Sequence, residues 1–208
     1  MSRTNTDHVV DETRPVTQTY GWRVVDIVVA AVLGVAVGLI FYVWNSVGYA
    51  WFKSMDALTP GLGGLAAGIW FLGGPLGGLV IRKPGAAVMV EMIGAAVSAT
   101  IGNAWGASTL LSGLAQGLAA ELIFAIFLYR RFGFVIAALS GAAAGAGAWT
   151  GELFYSGNLA MDTPFLVIYF ICCVISGIVL AGIVAYLLTK ALASTGALNR
   201  FASGRTGQ

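Results

Sequence analysis

Long apolar runs, separated by short polar or glycine–proline connectors, divide the chain into six stretches at about 24–52, 58–81, 85–104, 108–129, 132–155 and 164–189. A helix needs roughly 20 residues to cross the hydrocarbon core of a bilayer, and each stretch meets that length. None alternates apolar and polar residues as the strands of a membrane barrel would. The pattern predicts an all-α integral membrane protein, a six-transmembrane-helix bundle over 22–190. Residues 1–21 are polar and lack an apolar core, so they are expected to form a disordered tail. Residues 191–208 are expected to form a second short polar tail. The first apolar run is too long for the h-region of a signal peptide and is expected to remain as a span.

Composition removes the soluble alternatives. The 208 residues are 58% hydrophobic and 10% charged, where a soluble domain carries about 25% charged residues. The basic residues are also unevenly placed. Arg3, Arg14 and Arg23 precede span one, Arg82 and Lys83 follow span two, and Arg130 and Arg131 follow span four. Lys190, Arg200 and Arg205 follow span six, so only Lys53 falls on the other side. The positive-inside rule then places both termini in the cytoplasm. The net charge of +2 reflects this topology and does not suggest a nucleic-acid partner.

Small residues are grouped. Ala30, Gly34 and Gly38 share one face of span one, a stripe that serves either packing within the bundle or docking of a separate membrane partner. Span two holds eight glycines and Pro75 between Gly61 and Gly78. It is expected to kink or partly unwind, which is tolerated at membrane depth only where protein or a cavity covers the backbone. Span five is built from small residues between Gly141 and Ala148. Cys172 and Cys173 are adjacent within span six, which gives no disulfide framework and fits small packing residues.

Glu91 and Glu121 each lie inside an apolar span, where a carboxylate costs roughly 2.5 kcal/mol or more. Glu91, Ala95, Ser98 and Gly102 form a small, polar stripe on one helix face. Counted from the outer connectors, the two acids fall at similar depth, so they either share a site or one is structural. Gln116 lies nearer the outside than Glu121, with Ser112 one turn above it. The outer connectors carry Asn103, Trp105, Trp149, Glu152, Tyr155, Asn158 and Asp162, and Trp44, Asn45, Tyr49 and Trp51 close span one. Interfacial belts account for single tryptophans of this kind. Tryptophans beside carboxylates and amides also suit a flat cationic heterocycle.

Several chemistries have no residues to carry them. The one histidine, His8, falls in the N-terminal tail, so no His-based metal or catalytic site is expected. There is no phosphate-binding loop ending in Lys-Ser or Lys-Thr, and no mid-span Lys or Arg that would suit an anion pathway. No nucleophile–base pair is visible, so the chain is not expected to be an enzyme or to carry a cofactor.

Asn103-Ala104-Trp105-Gly106, the run Gln116 to Leu122, Tyr129-Arg130-Arg131, and Trp22-Arg23 with Asp26-Ile27 resemble the YkoE branch of the substrate-binding S components of energy-coupling factor (ECF) vitamin transporters. The resemblance covers about residues 20–190. It implies a six-helix S component that binds thiamine, or its hydroxymethylpyrimidine precursor, from outside. It also implies docking, through the Ala30/Gly34/Gly38 face, onto a transmembrane coupling protein driven by two ATPase subunits. The residues expected to meet the ligand are Glu121 and Gln116 first, then Glu91, Asn103, Trp105, Ser98, Trp149, Glu152 and Tyr155. The competing reading is an autonomous proton- or cation-coupled carrier or channel that uses Glu91 and Glu121.

Overall fold

The computed structural model describes residues 20–199 and 201–205. Arg3, His8, Arg14, Arg200 and most of the N-terminal tail lie outside the described residues. Every regular element among the described residues is helical. Helix α1 runs Val24–Leu58, a turn and a half beyond the expected end, and stops where Thr59 turns extended.

Span two is divided, as its composition predicts. A 3-10 helix, Leu62–Phe71, passes at Leu72 into α2, Gly73–Ile81. Pro75 falls in the first turn of α2, where a missing N–H is tolerated. Helix α3 covers only Ala86–Ile101, shorter than expected, because Gly85 (φ 84°) and Gly102 (φ 121°) bound it. Helix α4 is Ser108–Ile126 and α5 is Phe134–Tyr155. Span six is composite: α6 Thr163–Ser176, a π-helical stretch Gly177–Ile183, and α7 Val184–Ser194. A short α8, Ala202–Arg205, follows. Five runs are long and apolar enough to cross a membrane, and the 16-residue α3 is a shorter apolar helix packed among them.

Span two is the axis of the bundle. All nine residues of α2 are buried, against α1, α3, α4 and α7. Small residues are required because backbones close directly on one another. A Cβ on Gly68 would stand 2.2 Å from the Ser176 carbonyl oxygen, and one on Gly141 2.1 Å from that of Gly177.

The Ala30/Gly34/Gly38 stripe is likewise internal, which corrects its assignment as a docking face. All three residues are buried against the rest of the bundle. A Cβ on Gly34 would fall 2.5 Å from Ile93, and one on Gly38 2.6 Å from Val97, so α3 already occupies the groove. The face that α1 exposes is made of Val28, Val32, Val35, Leu39 and Val43.

The basic end is tied together by polar contacts. Asp26, fully buried, accepts from the Arg23 backbone N–H (2.7 Å) and guanidinium (2.8 Å) and from Lys83 Nζ (2.5 Å). The hydrogen bond to Asp26 raises the Arg23 guanidinium pKa above its ordinary value. Lys83 also donates to the Gly21 carbonyl, and Trp22 Nε1 donates to the Pro84 carbonyl (2.9 Å). Among the described residues, 191–199 and 201–205 do not form a detached polar tail. Leu198, Phe201 and Ser203 are buried, with Ser203 Oγ donating to the Val80 carbonyl (2.8 Å) and Arg23 lying over the Phe201 ring.

Candidate ligand-binding cavity

At the opposite, aromatic end the helices part around a cavity of about 310 Å³, the lower end of the size usual for small-molecule sites. Its floor is built from the break in span two. The start of α2 leaves backbone N–H groups without intrahelical partners, and Glu91 on α3 supplies an acceptor. Gly74 N–H donates to Glu91 Oε2 at 2.7 Å. The helix dipole favours an anion there. Gln116 on α4 completes the floor. With its amide oriented so that oxygen faces a donor and nitrogen faces acceptors, Nε2 donates to Glu91 Oε1 (3.2 Å) and the Trp70 carbonyl (3.0 Å). Its oxygen accepts from Ser112 Oγ (2.6 Å).

One wall is a side-chain relay. Trp70 Nε1 donates to Asn45 Oδ1 (2.9 Å), and Asn45 Nδ2 donates to Ser98 Oγ (2.9 Å). At the mouth, the Trp105 ring stands edge-on to Tyr49 (5.1 Å between centroids) and Trp70 (5.6 Å). The other wall, from α5 and α6, carries Glu152, Tyr155 and Tyr169, with Asn158 and Asp56 near the rim. Among the described residues three acids line the cavity and no lysine or arginine does.

Of the residues expected at the site, Glu91, Ser98, Trp105, Gln116, Glu152 and Tyr155 line this cavity. Glu121, the first choice, is placed elsewhere. Its oxygens accept from the backbone N–H groups of Gly85 (2.7 Å), Ala87 (2.8 Å) and Val88 (3.4 Å) and from Tyr129 Oη (2.7 Å), capping α3 at the basic end. The register of α3 against α4 explains the difference in depth. Gly113 packs on Ala95 and Gly117 on Glu91, so one turn further Glu121 meets Ala87. Counting residues from the outer connectors misses this register.

Asn103 acts on the connector. It accepts from the Trp105 (2.9 Å) and Gly106 (2.8 Å) backbone N–H groups and so shapes the loop that carries Trp105. Trp149 pins α5 to α6 through the Leu166 carbonyl (3.1 Å). Trp70, Tyr169 and Asp56 line the cavity without having been singled out. Trp70 carried a usable signal: it sits in mid-span, away from the interfaces where belts form.

A family model described as "ABC-type cobalt transport system, permease component" matches residues 25–147. The chain is 30% identical over 188 residues to the putative HMP/thiamine permease protein YkoE of Bacillus subtilis (strain 168), an alignment covering 88% of this chain and 91% of that protein. Its fold is similar to a crystal structure of an S-component of an ECF transporter, with a TM-score of 0.82 and 29% identity over 89% of this chain and 93% of that one.

Proposed function

The chain belongs to the YkoE-type S components of ECF transporters, and from that premise we propose that its cavity binds thiamine or hydroxymethylpyrimidine from outside a bacterial cell. The observation that carries this reading is the cavity floor. A carboxylate and an amide, Glu91 and Gln116, sit side by side under aromatic rings, with no basic residue among the described residues of the lining. An aminopyrimidine offers a flat edge of donors and acceptors to such a pair, and charge-assisted hydrogen bonds to a carboxylate are the stronger kind. Trp70, Trp105 and Tyr49 offer ring faces and edges to a flat heterocycle.

The cobalt in the family description finds no matching donor set as cargo. Among the described residues no three of His, Cys, Asp and Glu come together as metal ligands. A stand-alone relay through Glu91 and Glu121 is not favoured either, because the Glu121 oxygens are engaged by three backbone N–H groups and Tyr129. The chain acts by binding and not by catalysis, and docks on a transmembrane coupling protein served by two ATPase subunits.

The test is Glu91→Gln in detergent, titrated with thiamine and with hydroxymethylpyrimidine by tryptophan fluorescence. A hydrogen bond to a charged group contributes about 1.5–3 kcal/mol, so affinity for both should fall about 10- to 100-fold. Unchanged affinity removes Glu91 from the site.

A further inference from the structure

We propose that Glu152, supported by Tyr155, is a second recognition pole that reads a cationic group on the ligand, and that it sets a preference for thiamine over hydroxymethylpyrimidine. This rests on the cavity being a thiamine-class site and goes on to assign what the far wall discriminates.

Of the three acids that line the cavity, Asp56 lies near the rim, and Glu91 and Glu152 stand at different depths on different walls. Gly117 of α4 packs on Glu91, whereas Gly151, beside Glu152, packs on Ala115. Glu152 is therefore about one helical turn nearer the mouth. Helix α4 contacts both α3 and α5, carrying Gln116 and Ser112 on the floor between their acids. A single small ring held by Glu91 and Gln116 leaves the outer acid to a second part of the ligand.

Glu152 is held differently from Glu91. Glu91 accepts from the backbone at the start of α2 at 2.7 Å, whereas Glu152 meets side chains alone, a hydrogen bond with Tyr169 and a 3.5 Å approach from Asn158 Nδ2. One turn along α5, Tyr155 Oη is buried beside Ser112 and makes no hydrogen bond of ordinary length and angle, the one such side-chain atom among the described residues. Buried polar groups in native proteins have partners, and a ligand lying along this wall supplies one. Glu152 is half-buried, a carboxylate drawn out of water without a counter-charge is costly, and among the described residues no lysine or arginine lines the cavity to balance it.

The matching chemistry is a flat hydrogen-bonding ring joined to a positively charged one. Thiamine has both, an aminopyrimidine and a thiazolium, whereas hydroxymethylpyrimidine has only the first. Tyr169, beside Glu152, adds an aromatic face of the kind that attracts a cation.

The experiment is calorimetric titration of the full chain in detergent with both compounds, on unaltered protein, Glu152→Gln and Tyr155→Phe. Unaltered protein is expected to bind thiamine more tightly. In Glu152→Gln the thiamine Kd is expected to rise about tenfold or more while that of hydroxymethylpyrimidine stays within about twofold, and the retained binding shows the variant is folded. Tyr155→Phe is expected to weaken thiamine selectively and by less. Equal binding of the two compounds by unaltered protein, or a Glu152→Gln loss that is parallel or absent, overturns this inference and leaves the proposed function standing. If Glu152→Gln does not fold, Tyr155→Phe decides: selective loss supports the pole, and parallel or no loss overturns it. Binding of neither compound by unaltered protein overturns the proposed function and this inference with it.

Discussion

The Glu91 carboxylate serves two structures at once: Oε2 holds the start of α2 through Gly74, and Oε1 meets the Gln116 amide at the cavity floor. Its cost in an apolar span is offset by these partners, and Gln at this position keeps an acceptor for Gly74 while losing the charge. Glu121 has the opposite profile, with all its contacts at the cap of α3. Glu121→Ala should remove the acceptor for three backbone N–H groups. These bonds are exposed or half-buried, so their loss is that of a helix cap, about 0.5–2 kcal/mol, and the melting temperature in detergent should drop while thiamine affinity stays within about twofold. A large affinity loss at unchanged melting temperature would return Glu121 to the site.

At the scale of elements, the stripe of α3 was legible: Glu91, Ala95 and Ser98 share a face by periodicity, and all three are buried on the cavity wall. The break in span two was legible from its glycines and Pro75. The partners of the small-residue faces were not, because a stripe such as Ala30/Gly34/Gly38 states how closely something approaches and not what approaches. The α3–α4 register was hidden for the same reason, since it is set by which Cβ fills which glycine notch. Close backbone approach gives a direct expectation for Gly68→Ala and Gly141→Ala. Each would place a methyl within 2.2 Å of a carbonyl oxygen, and overpacking of this kind costs about 1–3 kcal/mol or more. Reduced yield and a lower melting temperature are expected, whereas an alanine at the exposed Val35 should be nearly neutral.

At the scale of the whole molecule, the two ends differ in kind. The basic end is closed by Asp26, Lys83 and Arg23 and by the packing of Phe201 and Ser203 beneath α2. Asp26→Asn leaves Lys83 without its buried partner, and breaking a buried pair costs about 3–5 kcal/mol. Thermal stability should fall with thiamine affinity preserved, a separation that melting curves and titration read side by side. Orientation is testable as well. In intact cells a membrane-impermeant maleimide should label Ser54→Cys, near the mouth, and not Arg131→Cys; the reverse pattern would invert the topology. Charge asymmetry in the sequence predicts this polarity, whereas the burial of Leu198 and Phe201 was not legible there, because the polar residues around them mask two anchors.

The closed basic end has a thermodynamic consequence. A vessel with one mouth exchanges its contents with one compartment only, so at equilibrium its occupancy reports the chemical potential of solute on that side. Affinity, however high, performs no work. Moving solute uphill requires that the same site face the other compartment with weakened hold, and the free energy for that change must come from outside these six spans.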